Sequence, residues 1–172
     1  MSSLLLPTIA SASPESRELV RQGLAAVKAR QFEAALEKFE AAGAADPTDA
    51  EAVFFQGLAL NLLDRPAEAL ARLERAAAMG ARHPDLAFQT GWSLLRLRRW
   101  EDAIVQLDRY ERDHPGRGKT KEFLGRAYLG RGQLDRAEAA LREAIRRDAR
   151  LSPSAQLHLA VVAQRRGDPE AA

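Results

Sequence analysis

The residues that could suggest ligand chemistry are few and scattered along the chain. The tripeptide Gly118-Lys119-Thr120 resembles the end of a phosphate-binding P-loop, in which backbone amides and a lysine hold phosphate groups. However, Asp113 occupies the place of the motif's earlier glycine. The tripeptide also follows a helical pattern, whereas a P-loop follows a strand. The sequence therefore argues against a nucleotide site.

Side chains that could hold a metal ion or act as a nucleophile are equally sparse. The chain has three histidines, His83, His114 and His158, which lie far apart and lack partners at metal-ligand spacing. We expect them to be exposed loop or helix residues. There is no cysteine, which excludes disulfides, thiolate metal sites and a cysteine nucleophile. The pair Glu101-Asp102 is typical of a helix start, where negative charge favours the helix dipole. We predict no enzyme activity, no cofactor and no metal site.

The strongest pattern in the chain is a 34-residue repeat of small side chains. Glycine recurs at this interval four times, and alanine follows each glycine twelve residues later: Gly23, Gly57, Gly91 and Gly125; Ala35, Ala69, Ala103 and Ala137. A fixed period of this length is typical of stacked-repeat proteins. A glycine inside a helix costs about 1 kcal/mol relative to alanine. We therefore infer that two helices approach too closely for a side chain, with the alanines as the opposing small surface.

Apolar residues follow helical spacing in two short segments per repeat, and no segment alternates as a β-strand would. Prolines and glycines such as Pro66, Gly132 and Pro115 mark the segment boundaries. We predict a flexible leader over residues 1–15, four repeats over 16–49, 50–83, 84–117 and 118–151, and a capping helix or partial fifth repeat over 152–172. The last segment either covers the final apolar face or begins a longer array. Nine helices are expected, with the last few residues frayed.

These residues resemble the tetratricopeptide repeat, a helix–turn–helix unit that stacks into a right-handed superhelix. The fourth repeat carries the resemblance best, in Phe123-Leu124-Gly125-Arg126-Ala127-Tyr128, Gly132-Gln133-Leu134, Ala137, Leu141 and Ala144. The resemblance covers residues 16–151 and implies an all-α solenoid that binds proteins, with the first helix of each repeat facing a concave groove. Tyr110 departs from the pattern because it stands in a column of alanines, which leaves its packing open.

The resemblance also implies which residues face the groove. We expect an apolar surface with one asparagine and two arginines: Phe54, Leu58, Asn61, Phe88, Trp92, Leu95, Arg96, Arg126 and Leu129. Aromatic and arginine side chains dominate the energy of many interfaces. The alternative is that some of these side chains pack against neighbouring repeats. A terminal-carboxylate clamp of the kind found in some family members is not expected, because Val20 and Leu24 occupy its places.

We therefore predict a non-catalytic scaffold or adaptor that binds a partner peptide in this groove. Two alternatives stay open, namely self-association through uncapped ends and a chaperone-like role in holding a secreted or assembly partner. Nucleic acid is not the expected partner, because the net charge is only +2 and aromatic residues are not interleaved as stacking platforms.

The sequence also predicts a cytoplasmic protein without a membrane span. No apolar run approaches the roughly 18 residues that a membrane span requires. The run Leu4-Leu5-Leu6 faintly resembles an export signal, but no positive charge precedes it. The arginine- and alanine-rich composition suggests a GC-rich bacterial genome.

Overall fold

The computed structural model describes residues 12–167, which fold into nine α-helices and one short 3-10 helix, without a strand in that range. The helices are α1 Pro14–Lys28, α2 Phe32–Ala45, α3 Ala50–Leu62, α4 Pro66–Ala78, α5 Leu86–Arg96, α6 Trp100–Asp113, α7 Gly118–Gly130, α8 Leu134–Arg147 and α9 Ser152–Arg166, with the 3-10 helix Ala149–Leu151 before α9. The prediction of an all-α fold is confirmed.

Helix α1 begins earlier in the chain than the predicted boundary of the first repeat. Ser13 caps α1, and Pro14 and Glu15 already belong to this helix, so α1 begins inside the segment predicted as a flexible leader. The rest of that leader, residues 1–11, lies outside the described residues. The predicted fraying also falls partly on residues 168–172, which lie outside them as well.

Each helix packs against the next helix along the chain. The first helix of each pair also contacts the first helix of the following pair, which joins α1 to α3, α3 to α5, α5 to α7 and α7 to α9. Within residues 12–167, the second helices α2, α4, α6 and α8 make no such contact with one another. The odd-numbered helices therefore line the inner, concave surface of a solenoid, and the even-numbered helices form its outer surface.

The same turn joins the two helices of each of the four pairs. One residue in each turn has a left-handed backbone: Arg30 (φ 60°), Asp64 (φ 58°), Arg98 (φ 60°) and Gly132 (φ 74°). The next amide bonds the carbonyl five residues back, as Gln133 N–H does to the Tyr128 oxygen at 2.9 Å. This Schellman motif ends the first helix. Only the fourth turn has the glycine that a positive φ favours.

The repeated glycines lie where the two helices of a pair approach most closely. A Cβ at Gly125 would lie 2.6 Å from Cγ of Leu141 and 3.3 Å from the carbonyl oxygen of Ala137. Gly57 and Gly91 face leucines in the same way. The predicted close approach is present, but the opposing surface differs from the prediction. It consists of a leucine side chain together with the alanine's backbone, which comes close because the alanine is small and fully buried.

Tyr110 fits the alanine column without disturbing the stack. It is 2% exposed, and its ring centroid lies 5.2 Å from that of Phe88 on α5. Its hydroxyl donates a hydrogen bond of 2.7 Å to Oδ1 of Asp85, just before α5. Burial and this hydrogen bond raise the pKa of Tyr110 to about 12. The tyrosine therefore ties the outer helix α6 to the start of its partner α5.

Candidate partner-binding surface

Five of the nine predicted groove residues keep part of their surface exposed: Leu58, Phe88, Trp92, Arg96 and Arg126. Three of them meet at the ring of Phe123 on α7, which the sequence analysis did not select. Phe88 stacks on this ring with centroids 5.4 Å apart, and the Trp92 centroid lies 6.0 Å from it. The Arg126 guanidinium lies 5.5 Å from the same ring, within cation–π range. The result is an aromatic cluster between α5 and α7, in which Phe88 and Trp92 are partly exposed and Phe123 is 3% exposed.

The other four predicted groove residues are interior, so the expectation that they are exposed is wrong. Phe54 is fully buried, and Leu95 and Leu129 are only 3% and 6% exposed. Asn61 is 5% exposed and donates a hydrogen bond of 3.0 Å to the Gln89 carbonyl oxygen on α5. The physical reason is that the first helices pack against one another, so part of each inner face is covered by the next pair.

All three histidines are partly buried, whereas the sequence predicted that they are exposed. The His83 ring stacks on Phe54 with centroids 3.9 Å apart, and the His114 ring stacks on Tyr110 at 4.7 Å. Burial lowers the pKa of His83. His83 and His114 therefore contribute to packing between helix pairs.

The tripeptide that resembles a P-loop lies at the start of a helix. Gly118-Lys119-Thr120 forms the first turn of α7, and Lys119 Nζ donates to Glu122 at 2.8 Å. In residues 12–167, no group of three acidic or histidine side chains could hold a metal ion. The helices in this same range are also too short or too polar to cross a bilayer.

A basic pocket of about 370 Å³ lies on the concave side, where residues of α5, α7 and α9 come together. It contains four of the predicted groove residues, Leu95, Arg96, Arg126 and Leu129. The lining also includes five residues that were not predicted from the sequence: Arg98, Trp100, Gly130, His158 and Arg165. The density of arginine around positions 96–99 and 165–166 was a possible signal, but only the fold shows that these segments meet.

The four arginines of this basic pocket differ in their partners. Arg96 forms an ion pair with Asp64, and Arg165 donates to the carbonyl oxygen of Leu129 at 2.9 Å. Arg98 lies 5.7 Å from the ring of Trp100. Arg126 makes no hydrogen bond or ion pair with any residue that the structure describes. The pocket therefore presents guanidinium groups that have capacity for an anion.

Burial is the main influence on the charge of Arg126. Burial lowers its pKa, the neighbouring carboxylate of Glu122 raises it, and the positive charge of Arg96 lowers it again. Glu122 is itself buried and accepts hydrogen bonds from Lys119 at 2.8 Å and from Ser154 at 2.6 Å. Its negative charge is thus already shared with other donors.

Comparisons with known proteins agree with this architecture. A family model for the tetratricopeptide repeat matches residues 20–71, 63–117 and 124–172. No curated protein sequence matches the chain.

Several solved structures share the fold at low sequence identity. MamA (41-end) from Desulfovibrio magneticus RS-1 is 19% identical with a TM-score of 0.79, covering 93% of this chain and 90% of that chain. YrrB, described as a TPR protein with an unusual peptide-binding site, is 18% identical with a TM-score of 0.72, covering 94% and 88%. TTC0263 of Thermus thermophilus, a thermophilic TPR protein, is 23% identical with a TM-score of 0.69, covering 91% and 85%.

The family comparison and the fold lead to the same assignment. The matched segments cover well over half of the sequence, and the similar structures show the same helical stack. A fold of this type suggests a scaffold for protein–protein interaction. The chain belongs to the tetratricopeptide repeat family.

Proposed function

We propose that the chain is a non-catalytic scaffold that binds a segment of a partner protein on its concave surface. The observation that carries this proposal is the cluster of the partly exposed Phe88, Trp92 and Arg126 around the buried ring of Phe123. Tryptophan and arginine are among the side chains most enriched at positions that dominate binding energy. The peptide-binding site named for YrrB is a precedent within the same fold.

This surface is narrower than the sequence predicted and is displaced toward α5 and α7. Phe54, one of the residues expected to face the groove, is fully buried, and its ring stacks on that of His83 at 3.9 Å. Leu58 packs at the margin of the core formed by the first pairs, whereas Trp92 packs at the margin of the core formed by the later pairs. We therefore expect the main contacts of a partner segment to be with α5 and α7, and not with α3.

Affinity capture from cells of the source organism tests the proposal. The full chain serves as bait, and it is compared with variants that each lack one aromatic side chain. Trp92→Ala removes the partly exposed indole of the concave surface. Phe32→Ala is the matched control, because Phe32 is also half-buried but begins the outer helix α2. We expect Trp92→Ala to lose the captured protein and Phe32→Ala to retain it. Equal capture by both variants would contradict the assignment of the surface.

Self-association is a second candidate function, favoured by the exposure of Leu157 on α9. At the corresponding positions of earlier pairs, the following first helix supplies a cover. Phe88 is stacked against Phe123, and Glu122 is bonded to Ser154. Leu157 is 66% exposed among the described residues. A second copy could stack on this face, which would make a head-to-tail contact.

Sedimentation velocity over a wide concentration range tests this second candidate. We expect association that depends on concentration and that Leu157→Asp abolishes. Val105→Asp is the matched control, because Val105 is 63% exposed on the outer helix α6. A strict monomer at all concentrations would exclude self-association. The chaperone-like role and the cytoplasmic location stay predictions from the sequence.

A further inference from the structure

We propose that the basic pocket between α5, α7 and α9 binds a run of adjacent acidic side chains in the partner segment. This inference rests on the proposed scaffold function and adds the chemistry of the partner. The pocket adjoins the aromatic cluster, since Arg126 contributes to both. One extended segment could therefore place an apolar side chain on Trp92 and acidic side chains among the arginines.

The pocket has an excess of unpaired positive charge. Within residues 12–167, Arg98, Arg126 and Arg165 have no carboxylate partner, and Arg165 uses one N–H on a carbonyl oxygen. The nearby carboxylates are already engaged, Asp64 with Arg96 and Glu122 with Lys119. Arginine presents a planar fork of donors that matches carboxylate geometry. The pocket thus lacks the anions that would balance it.

The arginines of the pocket can bind more than one carboxylate of a partner. A single carboxylate has two oxygens, with about four sites for hydrogen bonds, and is well matched by one bidentate arginine. The three unpaired guanidinium groups come from the turn after α5, from α7 and from α9, around a cavity of about 370 Å³. Several adjacent carboxylates fit this spread of charge better than one terminal carboxylate.

The pocket fits an acidic peptide better than a nucleic acid. Binding of single strands without sequence preference uses exposed aromatic rings on which bases stack. Trp100 is the tryptophan of this lining. Its ring lies beside the Arg98 guanidinium and against the backbone of Gly130. The ring is therefore occupied by protein groups, and the remaining features favour carboxylates.

Fluorescence anisotropy with the full chain tests the proposal at low salt. The probe is a labelled peptide with a run of glutamates and an amidated C-terminus. We expect Arg126→Gln to weaken its binding about 10- to 100-fold, as for loss of a charge-assisted hydrogen bond. Arg126→Lys keeps the charge without the fork and should give an intermediate loss. Arg75→Gln on the outer helix α4 changes the net charge equally and should leave affinity unchanged.

Three further outcomes would overturn the proposal. One is equal affinity of wild type and Arg126→Gln, with circular dichroism showing that both are folded. Another is that a glutamine peptide with a free C-terminal carboxylate binds as tightly as the glutamate peptide, which would mean that the pocket binds the C-terminal carboxylate of a partner. The third is that a uridine oligonucleotide binds the protein more tightly than the glutamate peptide does. Loss of partner capture in Trp92→Ala, with the glutamate peptide unaffected by Arg126→Gln, would reject this inference and keep the scaffold function.

Discussion

Asn61 of α3 and Ser93 of α5 are joined by a hydrogen bond of 2.7 Å in the interior, where the serine hydroxyl donates to Oδ1 of the asparagine. The asparagine amide in turn donates to the carbonyl oxygen of Gln89 at 3.0 Å and to its side-chain oxygen at 3.1 Å. The polar atoms of this side chain therefore bond to the next repeat and do not face a partner.

Removing this link should destabilise the protein without a direct effect on partner binding. Asn61→Leu leaves the Ser93 hydroxyl and the Gln89 side chain without their asparagine partner in the interior. We expect a loss of about 1–3 kcal/mol in the free energy of unfolding, measured by urea denaturation. The double variant Asn61→Leu/Ser93→Ala should recover part of this loss, because both partners are then apolar. An unchanged urea midpoint in the single variant would argue against the link.

Similar polar links join other first helices along the concave side. The Ser16 hydroxyl donates to Asp49 at 2.6 Å, and the Ser154 hydroxyl donates to Glu122 at 2.6 Å. Between α5 and α7, the Phe88 ring stacks on Phe123 instead. The links between first helices therefore differ in chemistry and in position from repeat to repeat.

The left-handed turn residues lead to a second prediction. Arg30 is exposed, has φ of 60°, and forms no side-chain hydrogen bond or ion pair with the described residues. Arg30→Gly should stabilise the protein by about 1 kcal/mol, because glycine adopts this backbone without the steric cost. The reverse change, Gly132→Ala, should destabilise it by a similar amount. Thermal unfolding monitored by circular dichroism measures both, and shifts of the same sign would contradict the explanation.

The close approach at Gly125 leads to a third prediction. Gly125→Ala would place a methyl group 2.6 Å from Leu141 Cγ, which is fully buried and cannot move freely. We expect a net destabilisation of up to about 2 kcal/mol, because overpacking outweighs the gain in helix propensity. Gly43→Ala is the contrast, since its nearest atom is the end of the Gln56 side chain at 2.8 Å, which can shift at the cost of one hydrogen bond of 3.0 Å to the Phe39 carbonyl oxygen. If both variants unfold at the same urea concentration, steric crowding does not explain the repeated glycines.

The sequence predicted the architecture well because the 34-residue period records contacts within each pair. Gly125 has a counterpart in every pair, and Leu141 has a large apolar one, so their pattern is visible in the sequence. Burial on the concave side was harder to predict, because Phe54 and Trp92 are both aromatic residues of first helices, yet Phe54 is fully buried against His83 and Trp92 is only partly buried. The turn residues were hidden because Arg98 stands where a glycine would have marked the backbone.

Stability should also depend on pH through His83. Its Nδ1 accepts a hydrogen bond of 3.1 Å from the Asp85 amide, which requires the neutral ring, and burial lowers its pKa below the ordinary value of 6.5. The stabilisation is therefore present above about pH 6.5 and is lost as the pH falls through the lowered pKa of the folded state. We expect the urea midpoint to decrease as the pH is lowered from about 7.5 to about 5.5. Ordinary carboxylates titrate below this range. His83→Phe keeps a ring against Phe54 and should reduce this fall, whereas His158→Gln should not. A fall of equal size in wild type and His83→Phe would assign the pH dependence to another group.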